Sequence, residues 1–524
     1  MRNRNIPGSG LLKKSVIAAI TISTLGCGGG GGGTTAAVPS GSTGTTTTVT
    51  VQPQTFNFPT FTNNSKLAVV ANFQTAQEAP LNLTGQLVAD LADLSGAVPR
   101  VALRSDPSSD DTPDINPCGY SDACALNHLI GNDVNAQSTE STAVRKRFQE
   151  LAEGAQEDFF LLPGFVTVTG EKILQPNETT HCTIFAEVRN NSPVINRTKA
   201  LAIAEAWDSN NPQRPGSGIY DQARAVFGSE WNQNPTGGND GDTKVVLFFY
   251  SSQTLSSGLF GYTSPADADP DGGALSNKGE IIYINADKST YQTLATLAHE
   301  FQHLINQNEK INQQGLNPPD AQDENISVNE GLSGLSEEVC GFTYQSGNEL
   351  LVAVSNDYLE KPEEHEFFDF YEAGLGYGQS YLFFKFMREH YGDSVIRSIC
   401  TDTNVGMANL DDHLPSGFAE NFRRWTIANY ATNLGGSVPS IYRYPSGFRT
   451  DGTYPAGTLV GVKTQSLTNN VENLSGTIKP WSVRYLTYDG TAAGGLTVTI
   501  TGAVGSPFGV VFESVADTFT SFGQ

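Results

Sequence analysis

Five residues near the middle of the chain, His299-Glu300-Phe301-Gln302-His303, restrict its architecture more than any other stretch. Two histidines four positions apart meet on one face when the segment is helical. The surroundings agree: Leu294, Leu297, Ala298, Phe301, Leu304 and Ile305 recur at three- and four-residue intervals and form one apolar stripe. On such a helix both imidazoles reach a single Zn²⁺. Glu300 lies between them and faces the same cleft, where a carboxylate takes a proton from a water polarised by the metal. The chain has only 7 His in 524 residues, so a chance pair at this spacing is rare. Two surface histidines on an amphipathic helix is the weaker reading.

A catalytic zinc takes three protein ligands and keeps a fourth position open. Glu330 follows His303 by 27 positions and begins a second helical pattern, with Leu332, Leu335 and Val339 on its buried side. A carboxylate there completes a His/His/Glu set. The polar stretch 306–325 between them reads as an exposed insertion near the cleft.

His-Glu-Phe-Gln-His-Leu-Ile followed by Asn-Glu-Gly-Leu-Ser resembles the glutamate-zincin metallopeptidases, most closely their hyicolysin-like branch. Weaker likeness at 240–249, 261–262, 276–285 and 377–384 extends the match over about residues 195–435, under half of the chain. The resemblance implies an α+β fold with a zincin-type catalytic domain, an active-site helix and a small mixed sheet. It implies His299, His303 and Glu330 as zinc ligands and Glu300 as general base. Glu337 lies two helical turns beyond Glu330 and corresponds to a carboxylate that hydrogen-bonds a ligating histidine. Glu338 competes for that role, and a solvated helix carboxylate is the plain alternative. Tyr377 matches a tyrosine that stabilises the developing oxyanion; Tyr371 and Tyr381 are rivals, and a core aromatic is the plain alternative. The strand at 280–285, just before the active-site helix, is expected to pair with an extended substrate. Two departures stand out. Ser327-Val328 replace bulkier residues before Asn-Glu-Gly, and the linker from His303 to Glu330 is longer than in many glutamate zincins.

The activity so implied is zinc-dependent endopeptidase hydrolysis of extracellular protein or peptide substrates. The alternative is a non-enzymatic surface adhesin or binding lipoprotein on a zincin scaffold. His299, Glu300, His303 and Glu330 together favour the enzyme, because a scaffold has no need of all four.

Arg2, Arg4, Lys13 and Lys14 precede an apolar run at 15–25 that is too short to span a bilayer comfortably. Thr24-Leu25-Gly26-Cys27 is similar to a bacterial lipobox, with Leu one position nearer the Cys than usual. Residues 1–26 therefore read as a signal peptide, Cys27 as a lipidation site, and 27–50 as a Gly/Thr/Ser-rich tether. The expected location is a bacterial membrane, through the lipid anchor alone and facing periplasm or cell surface; an ordinary secreted protein is the rival. Cys118 and Cys124 could close a small loop and Cys340 and Cys400 could brace the catalytic domain, leaving Cys182 free; spacing does not fix the pairing, and a cysteine metal site is the alternative, although no paired Cys-x-x-Cys spacing is present. The formal net charge of −24 argues against nonspecific binding of nucleic acid.

Turn-rich alternating stretches at 51–194 suggest a mainly β N-terminal domain. Helices at 198–207 and 219–227 and a strand at 245–250 open the catalytic domain at 195–435. Residues 436–524 return to β patterns and suggest a small sandwich-like domain. Asp267, Asp269 and Asp271 alternate before Gly272, which reads either as the start of a Ca²⁺ loop or as an acidic surface turn. A standard loop needs a later acidic ligand, and Glu280 is too near.

Overall fold

The computed structural model describes side chains at 148–231, 241–267, 276–310, 323–368, 376–434, 438–465 and 479–487, and the backbone of further strands near both ends. The fold is α+β. Its centre is a curled mixed sheet of β1 (Gln156–Leu161), β2 (Val166–Lys172), β3 (Cys182–Arg189), β4 (Val245–Tyr250), β5 (Gly261–Thr263) and β6 (Ile281–Asn285). The spatial order is β1-β2-β3-β4-β6-β5. β3, β4 and β6 are parallel; β1, β2 and β5 join antiparallel.

The three parallel strands are near-continuous apolar runs because both of their faces are buried. Their alternation divides the core in two. Ile184, Val245, Leu247, Phe249, Ile282 and Ile284 face the helices. Phe185, Val246, Phe248, Tyr250, Ile281 and Tyr283 face the other way, against Phe148, Phe159 and Leu161. The sheet curls far enough for Asn277, just before β6, to bond both backbone groups of Phe160 on β1, each at 2.8 Å.

The helical layer comprises α1 (Arg197–Asp208), α2 (Ile219–Phe227), α3 (Thr290–Lys310), α4 (Ile326–Val339), α5 (Glu349–Glu360), α6 (Gly376–Tyr391), α7 (Asp393–Thr401), α8 (Gly406–His413) and α9 (Gly417–Ala431). α3 is the central helix and is buried along most of its length. One side of it packs on α1 and α2, where Trp207 and Tyr220 meet Phe301 at centroid distances of 4.8 and 5.4 Å. The opposite side carries the histidines. Among the described residues, no helix is long and apolar enough to cross a membrane.

Two expected boundaries do not hold. A break at 194/195 would cut through one sheet, since β3 pairs directly with β4. Nor do the two chain ends form separate β domains. Val51–Phe61 and Ala79–Val88 flank Gly494–Ala503, and Ser65–Asn72 lies between Val483–Asp489 and Phe508–Ser514. Strands from both ends thus share two sheets. Val483–Asp489 is also tied to the helices: the Tyr485 hydroxyl donates to the Thr426 carbonyl on α9 at 2.7 Å. Period-two alternation marks a strand but does not name its partner. A third expectation fails as well. Cys340 and Cys400 are both buried free thiols, as is Cys182. Cys118, Cys124 and the lipobox Cys27 lie outside the described residues.

The long linker after α3 is clamped at its two ends. The Lys310 ammonium donates to the carbonyls of Ile399, Asp402 and Asn404 at 2.6–2.9 Å. It also meets the Glu324 carboxylate at 3.2 Å, with both side chains fully buried. Glu324 in turn accepts from the backbone N–H groups of Asn325 and Gly406. Removing one partner of such a pair strands the other charge. Lys310→Met is expected to cost about 3–5 kcal/mol in urea denaturation; a loss below about 1 kcal/mol would contradict this role for the pair.

Candidate metal centre

α3 and α4 cross closely because α4 presents small residues to its neighbours. Ser336 donates to the Ala298 carbonyl at 2.7 Å, and Ser333 donates to the Gln302 amide oxygen at 2.5 Å. Gly331, next to Glu330, lies where an added Cβ would come within 2.6 Å of the Phe384 ring on α6. The small residues in Gly331-Leu-Ser-Gly-Leu-Ser336 thus set the helix separation at the position of Glu330.

Across this contact three side chains converge. His299 Nε2 lies 3.2 Å and His303 Nε2 3.5 Å from Glu330 Oε2. Among the described residues, these three form the group of ligand-type side chains able to hold a metal ion, with ligand atoms within 4.8 Å of one another. Ligand atoms of a tetrahedral metal with bonds of about 2.0–2.1 Å stand about 3.3–3.4 Å apart. The two measured separations straddle that value.

The remaining ring nitrogens are held by neighbours. His299 Nδ1 is 2.9 Å from Glu337 Oε1, and the Asn348 amide donates to Glu337 Oε2 at 2.7 Å. His303 Nδ1 lies 3.1 Å from both Asn329 Oδ1 and Ser333 Oγ. Since Ser333 gives its proton to Gln302, an N–H on His303 Nδ1 satisfies both oxygens and leaves the Nε2 lone pair toward Glu330. Glu338, the rival of Glu337, faces elsewhere: it accepts from the Tyr381 hydroxyl at 2.6 Å and pairs with Lys385 at 2.9 Å.

Glu300, Glu330 and Glu337 are each at most 2 % exposed. Three buried carboxylates around two imidazoles make a strongly negative site, which demands compensation by positive charge. The ionisation equilibria follow. Burial opposes a charged His299, yet Glu330 and Glu337 outweigh it and push that imidazole up to about 10. Burial pushes Glu300 up to about 7 against the pull of His303 and His299. Glu330 is held well below the usual carboxylate range: burial raises it, but His303 and His299 more than reverse this. Glu330 Oε1 and Glu300 Oε2 are buried without a hydrogen-bond partner among the described residues. Unsatisfied acceptors beside a converging His/His/Glu set fit a bound cation.

The other expected site residues are placed as follows. Tyr377, in the first turn of α6, is buried in a cluster with Ile326 and Val354, and Ile326 lies one turn before Glu330 on α4. Tyr381 is committed to Glu338, and Tyr371 lies outside the described residues. Asp267 is not part of an exposed acidic turn. It is buried, accepts from the Tyr283 hydroxyl at 2.6 Å and the Asn277 N–H at 2.5 Å, and closes the loop before β6. Asp269 and Asp271 lie outside the described residues. The strand expected to receive substrate, β6, is interior to the sheet, with β4 on one side and β5 on the other. Both of its edges are already used. Sequence reasoning missed Asn348 and Asn329. Asn329 was visible as the neighbour of Glu330, whereas Asn348, eleven positions beyond Glu337, carried no signal.

Replacing Glu337 by Gln keeps the shape but removes the charge that orients His299. The metal affinity of Glu337→Gln is expected to fall about 10–100-fold, read by competition with a chromophoric chelator. An unchanged affinity would show that Glu337 has no part in holding the histidine.

Residues 243–327 match the family model for the IrrE N-terminal-like domain, a peptidase family. The matched stretch takes in β4, β5, β6 and α3 with His299, Glu300 and His303, and ends three residues before Glu330. No curated protein matches the chain. Over the histidine-bearing helix α3 and the strands before it, the chain is similar to a metallopeptidase-like family.

Proposed function

We propose that this protein is a zinc-dependent endopeptidase of the hyicolysin-like glutamate-zincin type, acting on extracellular proteins. The observation that carries this reading is the convergence of His299, His303 and Glu330, with the unsatisfied Glu300 carboxylate beside them. When bound by those three residues, zinc would act as a Lewis acid toward the scissile carbonyl and acidify the attacking water. The chain's own groups do the rest. Glu300 Oε2 accepts the proton of the attacking water, and the same carboxyl passes it to the departing amine. Glu337 and Asn348 keep His299 in one orientation while charge shifts around it. Tyr377, beside the first turn of α4, is assigned the role of donor to the developing oxyanion.

The extended substrate is assigned to β5, the edge strand of the sheet, in place of β6. β5 lies against the active-site helix: a Cβ at Gly261 would come within 2.6 Å of Thr296, one turn before His299. On the sequence pattern, the chain is exported and tethered through a lipid on Cys27, with 27–50 as the spacer.

The test is casein hydrolysis by the full chain, with zinc measured on the same sample. Glu300→Gln is expected to retain about one zinc per chain, as a three-ligand site should. It should lose hydrolysis by at least about a hundredfold, the scale of a general-base contribution. Full activity in that variant would sink the mechanism, and a wild-type protein that takes up no zinc would sink the metal assignment.

A further inference from the structure

A cavity of about 230 Å³ adjoins the metal-binding cluster. On one side it is lined by Gln292, Ala295 and Thr296 of α3. These positions precede His299 by seven, four and three residues, so they continue the face that carries the histidines. Opposite stands Glu337, which contacts both the cavity and the Nδ1 nitrogen of His299. Phe260, immediately before the edge strand β5, and Glu349, in the first turn of α5, complete the walls that matter here. At this size the cavity suits one long side chain, since whole-ligand pockets run about 300–1,000 Å³.

The charge of the lining is one-sided. It contains two carboxylates, Glu337 and Glu349, and no Lys, Arg or His. The positive end of α5 is already answered by the Asn348 side chain, which caps it, and by Glu349 in its first turn. Glu337 uses one oxygen for His299 and the other for Asn348, but each carboxylate oxygen has a second lone pair to offer. The Thr296 hydroxyl is buried and has no partner among the described residues. Aromatic surface is present too, at Phe260 and Tyr291. The Phe260 ring already carries one ammonium, that of Lys288 at 3.6 Å. That lysine's charge is countered by Asp287 and held by the Ser257 carbonyl.

We propose that this cavity is the specificity pocket of the enzyme and that it takes a lysine or arginine side chain of a substrate residue flanking the scissile bond. The aliphatic stem lies along Phe260 and Ala295, and the charged end reaches Glu349 and Glu337. This rests on the endopeptidase reading above and adds to it a class of substrate.

The experiment is to digest a diverse peptide mixture with the full chain and to sequence the products. Lys and Arg are expected to be enriched at one position flanking the cut by on the order of tenfold, the worth of one charged hydrogen bond. The exposed Glu349 is the lever: Glu349→Lys should abolish the enrichment, and Glu349→Asp should keep it. Cleavage without a basic preference, or a preference that Glu349→Lys leaves unmoved, overturns the pocket and leaves the endopeptidase intact. If wild type and Glu300→Gln alike cleave nothing, the endopeptidase reading fails and the pocket fails with it.

Discussion

The contact between α3 and α4 is the interaction on which the rest of the structure depends. It packs three buried carboxylates, Glu300, Glu330 and Glu337, around the imidazoles of His299 and His303. Such a concentration of buried negative charge is costly unless positive charge answers it. Part of the answer is local, since His299 stands between Glu330 and Glu337, at 3.2 and 2.9 Å. The remaining unsatisfied oxygens, Glu330 Oε1 and Glu300 Oε2, are what a cation would complete. The same crowding that makes the cluster expensive suits it to hold a cation.

The scaffold keeps this cluster in register by burying the helices from several directions. Phe301 faces α1 and α2 on the side away from the histidines. Behind that layer the sheet presents one alternate set of side chains, and its second set is sealed by the curl of β1 and β2. The 27-position separation between His303 and Glu330 does not loosen the ligand set. Lys310 and Glu324, at the two ends of the intervening stretch, are joined to each other and to the backbone near α7 and α8. α3 and α4 are held as if the connection between them were short.

The edge strand β5, the histidine-bearing face of α3 and the acidic cavity are adjoining surfaces, linked by Phe260 and Thr296. Glu337 belongs to two of them, since it orients a histidine and lines the cavity. A side chain entering the cavity would therefore meet the carboxylate that positions His299.

Much of the site was legible in the sequence, because its spacing is that of single helices. His299, Glu300 and His303 share a face through the 3.6-residue period, and Glu337 follows Glu330 by two turns of the same helix. The Ile219–Phe227 helix and the Val245–Tyr250 strand were likewise set by local periodicity and by runs of β-branched and aromatic residues. What only the tertiary structure decided is every relation between elements distant in the chain. It chose Glu337 over Glu338 by turning the second toward Lys385. It buried β6 and left β5 at the edge, kept Cys340 and Cys400 as free thiols, and drew Asp267 into the sheet. It interleaved strands from both ends of the chain, where the sequence suggested separate domains. Local pattern records which face of an element is apolar; it does not record which other element covers that face, and that is settled by packing alone.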